Sequence, residues 1–137
     1  MPVPHLLLLE DDEVEVLLFE DAMMRVNPDL KWTNVVNGEE ALRFMDERIH
    51  DKHPLVVVTD INMPRMNGFE FLHALRAHEH FKHTIVFVYT TSNSEHDCKR
   101  AYEAGISGYF VKPEDTEFFG RFVEFLNHYL HLVHFPS

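Results

Sequence analysis

The stretch VVVTDINMP, Val56 to Pro64, runs three valines and a threonine straight into a carboxylate, Asp60, with a proline four residues on. Four β-branched residues without polar alternation read as a strand buried on both faces, the pattern of a parallel sheet. An aspartate at the end of such a strand is a turn cap, a metal ligand or a nucleophile. The rest of the chain has to choose among these.

Working outward, PLVVVTD (Pro54–Asp60) belongs to a set of similar short runs: HLLLLE (His5–Glu10), TIVFVYT (Thr84–Thr90) and SGYFVK (Ser107–Lys112). LKWTNVV (Leu30–Val36) is a more mixed fifth strand. Helical stretches alternate with them. Glu13–Val26 is acidic outside and places Val14, Leu17, Leu18 and Ala22 on one side, while Gly38–Ile49 aligns Ala41, Leu42, Met45 and Ile49. Gly68–Ala77 and Ser94–Ala104 follow, the latter stopped by Gly105 as a C′ glycine, and Asp115–Leu132 is the last helix. Strand then helix, five times over, specifies an α/β fold: a doubly wound, five-stranded parallel sheet with five helices. The length of 137 residues suits one domain, 1–137, with 133–137 a short C-terminal extension.

Composition narrows the function. With 45% hydrophobic residues and 12 phenylalanines, the chain is not disordered. A formal charge of −11 repels phosphate backbones and anionic lipids, which argues against nucleic-acid or membrane-surface binding. The lone cysteine, Cys98, excludes an intramolecular disulfide and suits a reducing compartment, and LLLL is too short for a membrane span or signal peptide. These features together point to a cytoplasmic protein.

In open α/β sheets, ligands bind at the carboxyl ends of the strands. Those ends carry Glu10-Asp11, with Asp12 next, then Asp60, Thr90-Thr91-Ser92 and Lys112-Pro113. Clustered acids repel unless a cation joins them, and Mg2+ takes one or two carboxylates with water and phosphate oxygens. A lysine and a hydroxyl beside them complete a phosphoryl cradle, in which an aspartate can serve as nucleophile.

At this point Glu10-Asp11, Asp60 with Asn62-Met63-Pro64 and Gly68, Thr90, and Tyr109 followed by Lys112-Pro113 resemble the receiver domain of two-component response regulators. The resemblance implies the flavodoxin-like (βα)5 receiver fold and a stand-alone regulator taking a phosphoryl group from a sensor histidine kinase. It implies that Asp60 is the phosphoacceptor and that Glu10, Asp11, Asp60 and the Asn62 backbone carbonyl bind Mg2+. Lys112 pairs with the phosphoryl group, Thr90 is the switch hydroxyl, and Tyr109 is the aromatic that reports the state. Glu10 stands where aspartate is common, and Asp12 could take over one ligand position. Thr90-Thr91-Ser92 and the terminal Phe135-Pro136 resemble the single-domain regulators that partner phytochrome-type histidine kinases.

Three other features have competing readings. The 11 histidines suggest zinc, yet no cysteine or carboxylate completes a set at convincing spacing, so solvent-facing or packing roles are expected. On the last helix, Phe118, Phe119, Phe122, Val123, Leu126, Tyr129, Leu130 and Val133 share an arc. Phe125 and Leu132 widen it, with Phe135 beyond, and a homodimer or partner surface is the expected use. Two rival functions remain: a phosphate-independent binding module, or a small phosphohydrolase of the haloacid dehalogenase type. The second needs an acid two positions after its nucleophile, where this chain has Asn62.

Overall fold

A computed structural model describes residues 3–114 and 119–136. Its elements are β1 (His5–Leu9), α1 (Glu13–Val26), β2 (Lys31–Val35), α2 (Gly38–Asp46), β3 (Leu55–Thr59), α3 (Gly68–Arg76), β4 (Ile85–Thr90), α4 (Glu95–Glu103), β5 (Gly108–Val111) and α5 (Phe119–Leu132). The expected start of the last helix at Asp115, and Phe118 on its arc, lie outside the described residues. The sheet is parallel throughout, ordered β2-β1-β3-β4-β5. Strand order therefore reverses between β1 and β3, and a crevice opens beyond their carboxyl ends.

Both faces of the sheet are covered, which is why its strands lack polar alternation. Leu7, Leu9, Val57, Val86 and Val88 point into one core with Ala41, Met45, Phe71, Leu72, Leu75 and Ala101 of α2, α3 and α4. Leu6, Leu8, Val56, Val58, Phe87 and Tyr89 point the other way, onto Phe19, Met23, Phe122, Val123 and Leu126 of α1 and α5. Successive residues thus serve opposite cores, as the two-residue period of a strand requires. Among the described residues no helix is long and apolar enough to cross a membrane.

The orientation of α1 corrects the expected face. Phe19, Ala22 and Met23 are its buried residues, whereas Val14 and Leu17 are 65% and 64% exposed. The heavy ring of Phe19 decides the rotation, wedged between Trp32 and Phe119 at centroid distances of 5.4 and 6.4 Å. The same rotation carries Glu15, one turn before Phe19, to the sheet side, where it meets Lys112. α2 stops at Asp46 rather than Ile49, and the chain continues in turns.

Candidate functional site

Glu10, Asp60 and Lys112 are each the first residue beyond their strand, not the last within it. Their backbones remain tethered: the Glu10 N–H donates to the Val35 carbonyl, Asp60 N–H to Leu9, and Lys112 N–H to Thr90, at 2.9, 3.1 and 2.7 Å. The side chains are thereby released from the sheet while their roots stay rigid. Gly68 holds the following loop against this edge. Its N–H donates to the Ile61 carbonyl at 2.9 Å, and a Cβ there would lie 2.4 Å from the Asp60 carbonyl oxygen. Any other residue at position 68 would push the loop after β3 away.

The side chains converge on one ammonium. Lys112 Nζ lies 2.6 Å from Glu10 Oε1 and 2.8 Å from Asp60 Oδ2, with Glu15 Oε2 at 3.9 Å. Glu10 and Asp60 are buried. The other oxygen of Asp60, Oδ1, accepts from the Ile61 N–H at 2.6 Å and the Asn62 N–H at 3.4 Å. Glu10 Oε2 accepts from the Asp12 N–H at 3.1 Å. Burial alone would lower the pKa of Lys112, but its hydrogen bonds to Asp60 and Glu10 outweigh that and raise it, so the ammonium is a fixed cation. Burial raises the carboxyl pKa of Glu10, with Lys112 opposing.

The remaining expected residues divide. Thr90 is fully buried at the end of β4, its Oγ1 accepting from the Ser92 N–H at 3.3 Å. Tyr109 donates its hydroxyl to the Ser92 carbonyl at 2.9 Å, while its N–H donates to the Tyr102 hydroxyl at 3.2 Å. Ser92 Oγ in turn donates to Asp97 Oδ2 on α4 at 2.7 Å. One chain of hydrogen bonds therefore links Thr90 to α4 and β5. Asp12 has different work: it is the N-cap of α1, accepting from the N–H groups of Val14 and Glu15. Asp11 and Asn62 are exposed. Phe125 and Leu132 are 37% and 84% exposed, and Phe135 is half-buried against the α1–α5 core.

The donor set is hard oxygen throughout, and Glu10, Asp60 and Glu15 share a single ammonium. The negative charge left over suits a divalent cation bound through oxygen. Among the described residues, however, no three Asp, Glu, His or Cys side chains are gathered as a metal cluster. Asp11 is exposed, and Glu10 and Asp60 are turned to Lys112. Two residues of the site escaped sequence reasoning, Glu15 and Tyr89. The signal for Glu15 was its place one helical turn beyond Asp11; for Tyr89 there was none, because a tyrosine in an apolar strand reads as core.

The chain is similar to known proteins in both sequence and fold. Residues 6–121 match the response regulator receiver domain. The chain is 30% identical over 130 residues to a probable methanogenesis regulatory protein, FilR2, of Methanothrix harundinacea, covering 90% of this chain and 81% of that one. Among solved structures it resembles the phosphorylated cyanobacterial phytochrome response regulator RcpA, with a TM-score of 0.87 and 22% identity over 98% of this chain and 99% of that one. It also resembles the response regulator RPA3017 in red light signaling of R. palustris, with a TM-score of 0.83 and 28% identity over the same shares. The five-stranded parallel fold is thus that of a known family, and this chain belongs to the response regulator receiver domains.

Proposed function

We propose that the chain is a phosphoacceptor that takes a phosphoryl group on Asp60 from a cytoplasmic sensor histidine kinase. The observation carrying this reading is Lys112 Nζ, held 2.8 Å from Asp60 Oδ2 in a buried, acid-lined edge. An oxygen of Asp60 attacks phosphorus, the O–P bond forms, and the P–N bond of the donor phosphohistidine breaks, its electron pair returning to the imidazole. Little covalent chemistry is asked of the protein, and the work is positioning and charge compensation. The Ile61 and Asn62 N–H groups orient the Asp60 carboxylate, and Lys112 compensates the equatorial phosphoryl oxygens.

Mg2+, when bound, would neutralise further phosphoryl charge. Glu10, Asp11, Asp60 and the Asn62 carbonyl are the groups that would hold it. In this reading Thr90 closes on the product. Its hydrogen bond to Ser92, and that residue's bonds to Tyr109 and Asp97, carry the change to α4 and β5. Exposed Phe125 and Leu132 on α5, with Val111 on β5, suit docking to a second copy or to another protein. The names of the similar light-signalling regulators favour a phytochrome-type kinase as the donor.

The test is intact mass after incubation with acetyl phosphate, with and without Mg2+, for the wild type and Asp60→Asn. A gain of one phosphoryl group that needs both Mg2+ and Asp60 is expected. An unlabelled wild type, or an equally labelled variant, would overturn the assignment.

A further inference from the structure

The ammonium of Lys112 has three donors, and two are used on Glu10 and Asp60. Glu15 Oε2 waits at 3.9 Å, within ion-pair range but too far for a hydrogen bond. The ring of Tyr89 lies close by, its centroid 5.8 Å from Nζ, at the outer limit of a cation–π contact. Tyr89 is only 5% exposed, and its enclosed hydroxyl has no hydrogen-bond partner among the described residues. An orphaned buried hydroxyl is costly, and each instance calls for an account.

Packing does not supply that account. The Tyr89 ring stacks on Phe122 at 4.1 Å with planes 1° apart, and meets Phe119 edge-on at 5.6 Å. A phenylalanine would fill this space equally well without the orphaned group. Burial and then the charge of Glu15 raise the pKa of the Tyr89 hydroxyl. It therefore stays a donor, and Glu15 is the strongest charge acting on it. Glu15 is also free to move: its side chain is 28% exposed, whereas that of Glu10 is 6%. Its backbone N–H is anchored by the Asp12 cap, so the motion is one of rotamer alone.

We propose that Glu15 and Tyr89 are positioning residues forming a second station for Lys112, which receives the ammonium when Glu10 turns from it to a bound cation. In the resting station Lys112 bridges Glu10 and Asp60. In the engaged station Glu15 swings inward, accepting the third N–H of Lys112 on one oxygen and the Tyr89 hydroxyl proton on the other. Lys112 keeps Asp60 throughout, and no covalent bond changes. The orphaned hydroxyl is thus the unfilled half of a contact completed in the engaged state. The inference rests on the phosphoacceptor reading only in requiring the divalent cation.

The experiment measures Mg2+ affinity by calorimetry, and the metal-free thermal midpoint, for the full chain and for Tyr89→Phe, Glu15→Gln and the double variant. Tyr89→Phe is expected to raise the metal-free midpoint, because it removes an unpaired group, yet to weaken Mg2+ binding roughly three- to tenfold. Glu15→Gln is expected to weaken binding as well, and in its background Tyr89→Phe adds no further loss. A purely structural tyrosine would move the midpoint and leave the affinity alone. Unchanged affinity in Tyr89→Phe, or the same loss whether Glu15 is present or not, overturns the second station. A wild type that binds Mg2+ but takes up no phosphoryl group would sink the proposed function while this affinity pattern still judges the station. A wild type that binds no Mg2+ sinks both.

Discussion

Two cations hold opposite edges of the sheet, and they are held by different kinds of acceptor. At the carboxyl edge, Lys112 sits among the carboxylates of Glu10, Asp60 and Glu15. Toward the amino edge, Arg76 at the end of α3 donates to four backbone carbonyls: Nε to Ala104, Nη1 to Lys82 and Thr84, and Nη2 to Gly105, all at 2.8 to 2.9 Å. These carbonyls belong to the segments entering β4 and β5. A planar fork on fixed dipoles has one arrangement, since main-chain oxygens cannot be exchanged without moving the strands. A point charge among side-chain carboxylates can change partners without moving the strands. The fold is clamped where it must not move and left re-partnerable where chemistry is proposed.

The contrast is broken most severely at the clamp. Arg76→Ala is expected to cost about 3 kcal/mol in urea unfolding, because hydrogen bonds to a charged group are each worth about 1.5–3 kcal/mol and the four carbonyls share one loss. Arg76→Lys should recover little, since an ammonium cannot span the four oxygens as the fork does. The folded fraction of either variant should still label on Asp60 by intact mass.

At the other edge, Lys112→Met is expected to abolish that labelling but to cost less stability, about 2 kcal/mol at neutral pH, because the stranded acids can take up a proton. Without the ammonium that opposes burial, the folded-state pKa of Glu10 rises further above the unfolded one. Stability is then fully present below the unfolded pKa and lost as pH rises through the folded one. Urea midpoints should therefore show the variant closest to wild type under acidic conditions. A deficit that is flat with pH would mean that the acids do not depend on Lys112.

The smallest effect is alkaline. Lys112 and Tyr89 both have folded-state pKa values raised above their ordinary 10.5 and 10.0. For a raised group, stability is fully present below the unfolded pKa and declines as pH climbs toward the folded one. Wild-type stability is expected to fall above about pH 10, where the unfolded state releases two protons that the fold retains. Tyr89→Phe should flatten that decline by one proton, measured from urea midpoints along a pH series. An unchanged slope would show that Tyr89 titrates normally in the fold.

Much of the fold was legible because burial writes itself into the chain. Strands covered on both faces must be apolar without alternation, and a helix between each pair forces parallel pairing. The polar edge was equally legible, since Glu10, Asp60, Thr90 and Lys112 are polar residues set at the ends of apolar runs, where packing gives them no reason to be. Asp12 was ambiguous for the opposite reason: a helix-capping acid and a ligand acid look alike in sequence, and only the bonds from Val14 and Glu15 reveal the cap.

The chain by itself determined the strand–helix order, the two-sided core and the convergence of acid, hydroxyl and lysine on one edge, because these follow from residue type and period. Tertiary structure alone decided the rest. The rotation of α1 came from the volume of Phe19 between Trp32 and Phe119, and that rotation turned Glu15 from a surface acid into a neighbour of Lys112. The closure of α5 over β4 buried the Tyr89 hydroxyl without a partner among the described residues. The fork of Arg76 met carbonyls of the segments entering both β4 and β5. Sequence period fixes which side of an element is apolar, but the angle at which that side is presented is set by the shapes it meets.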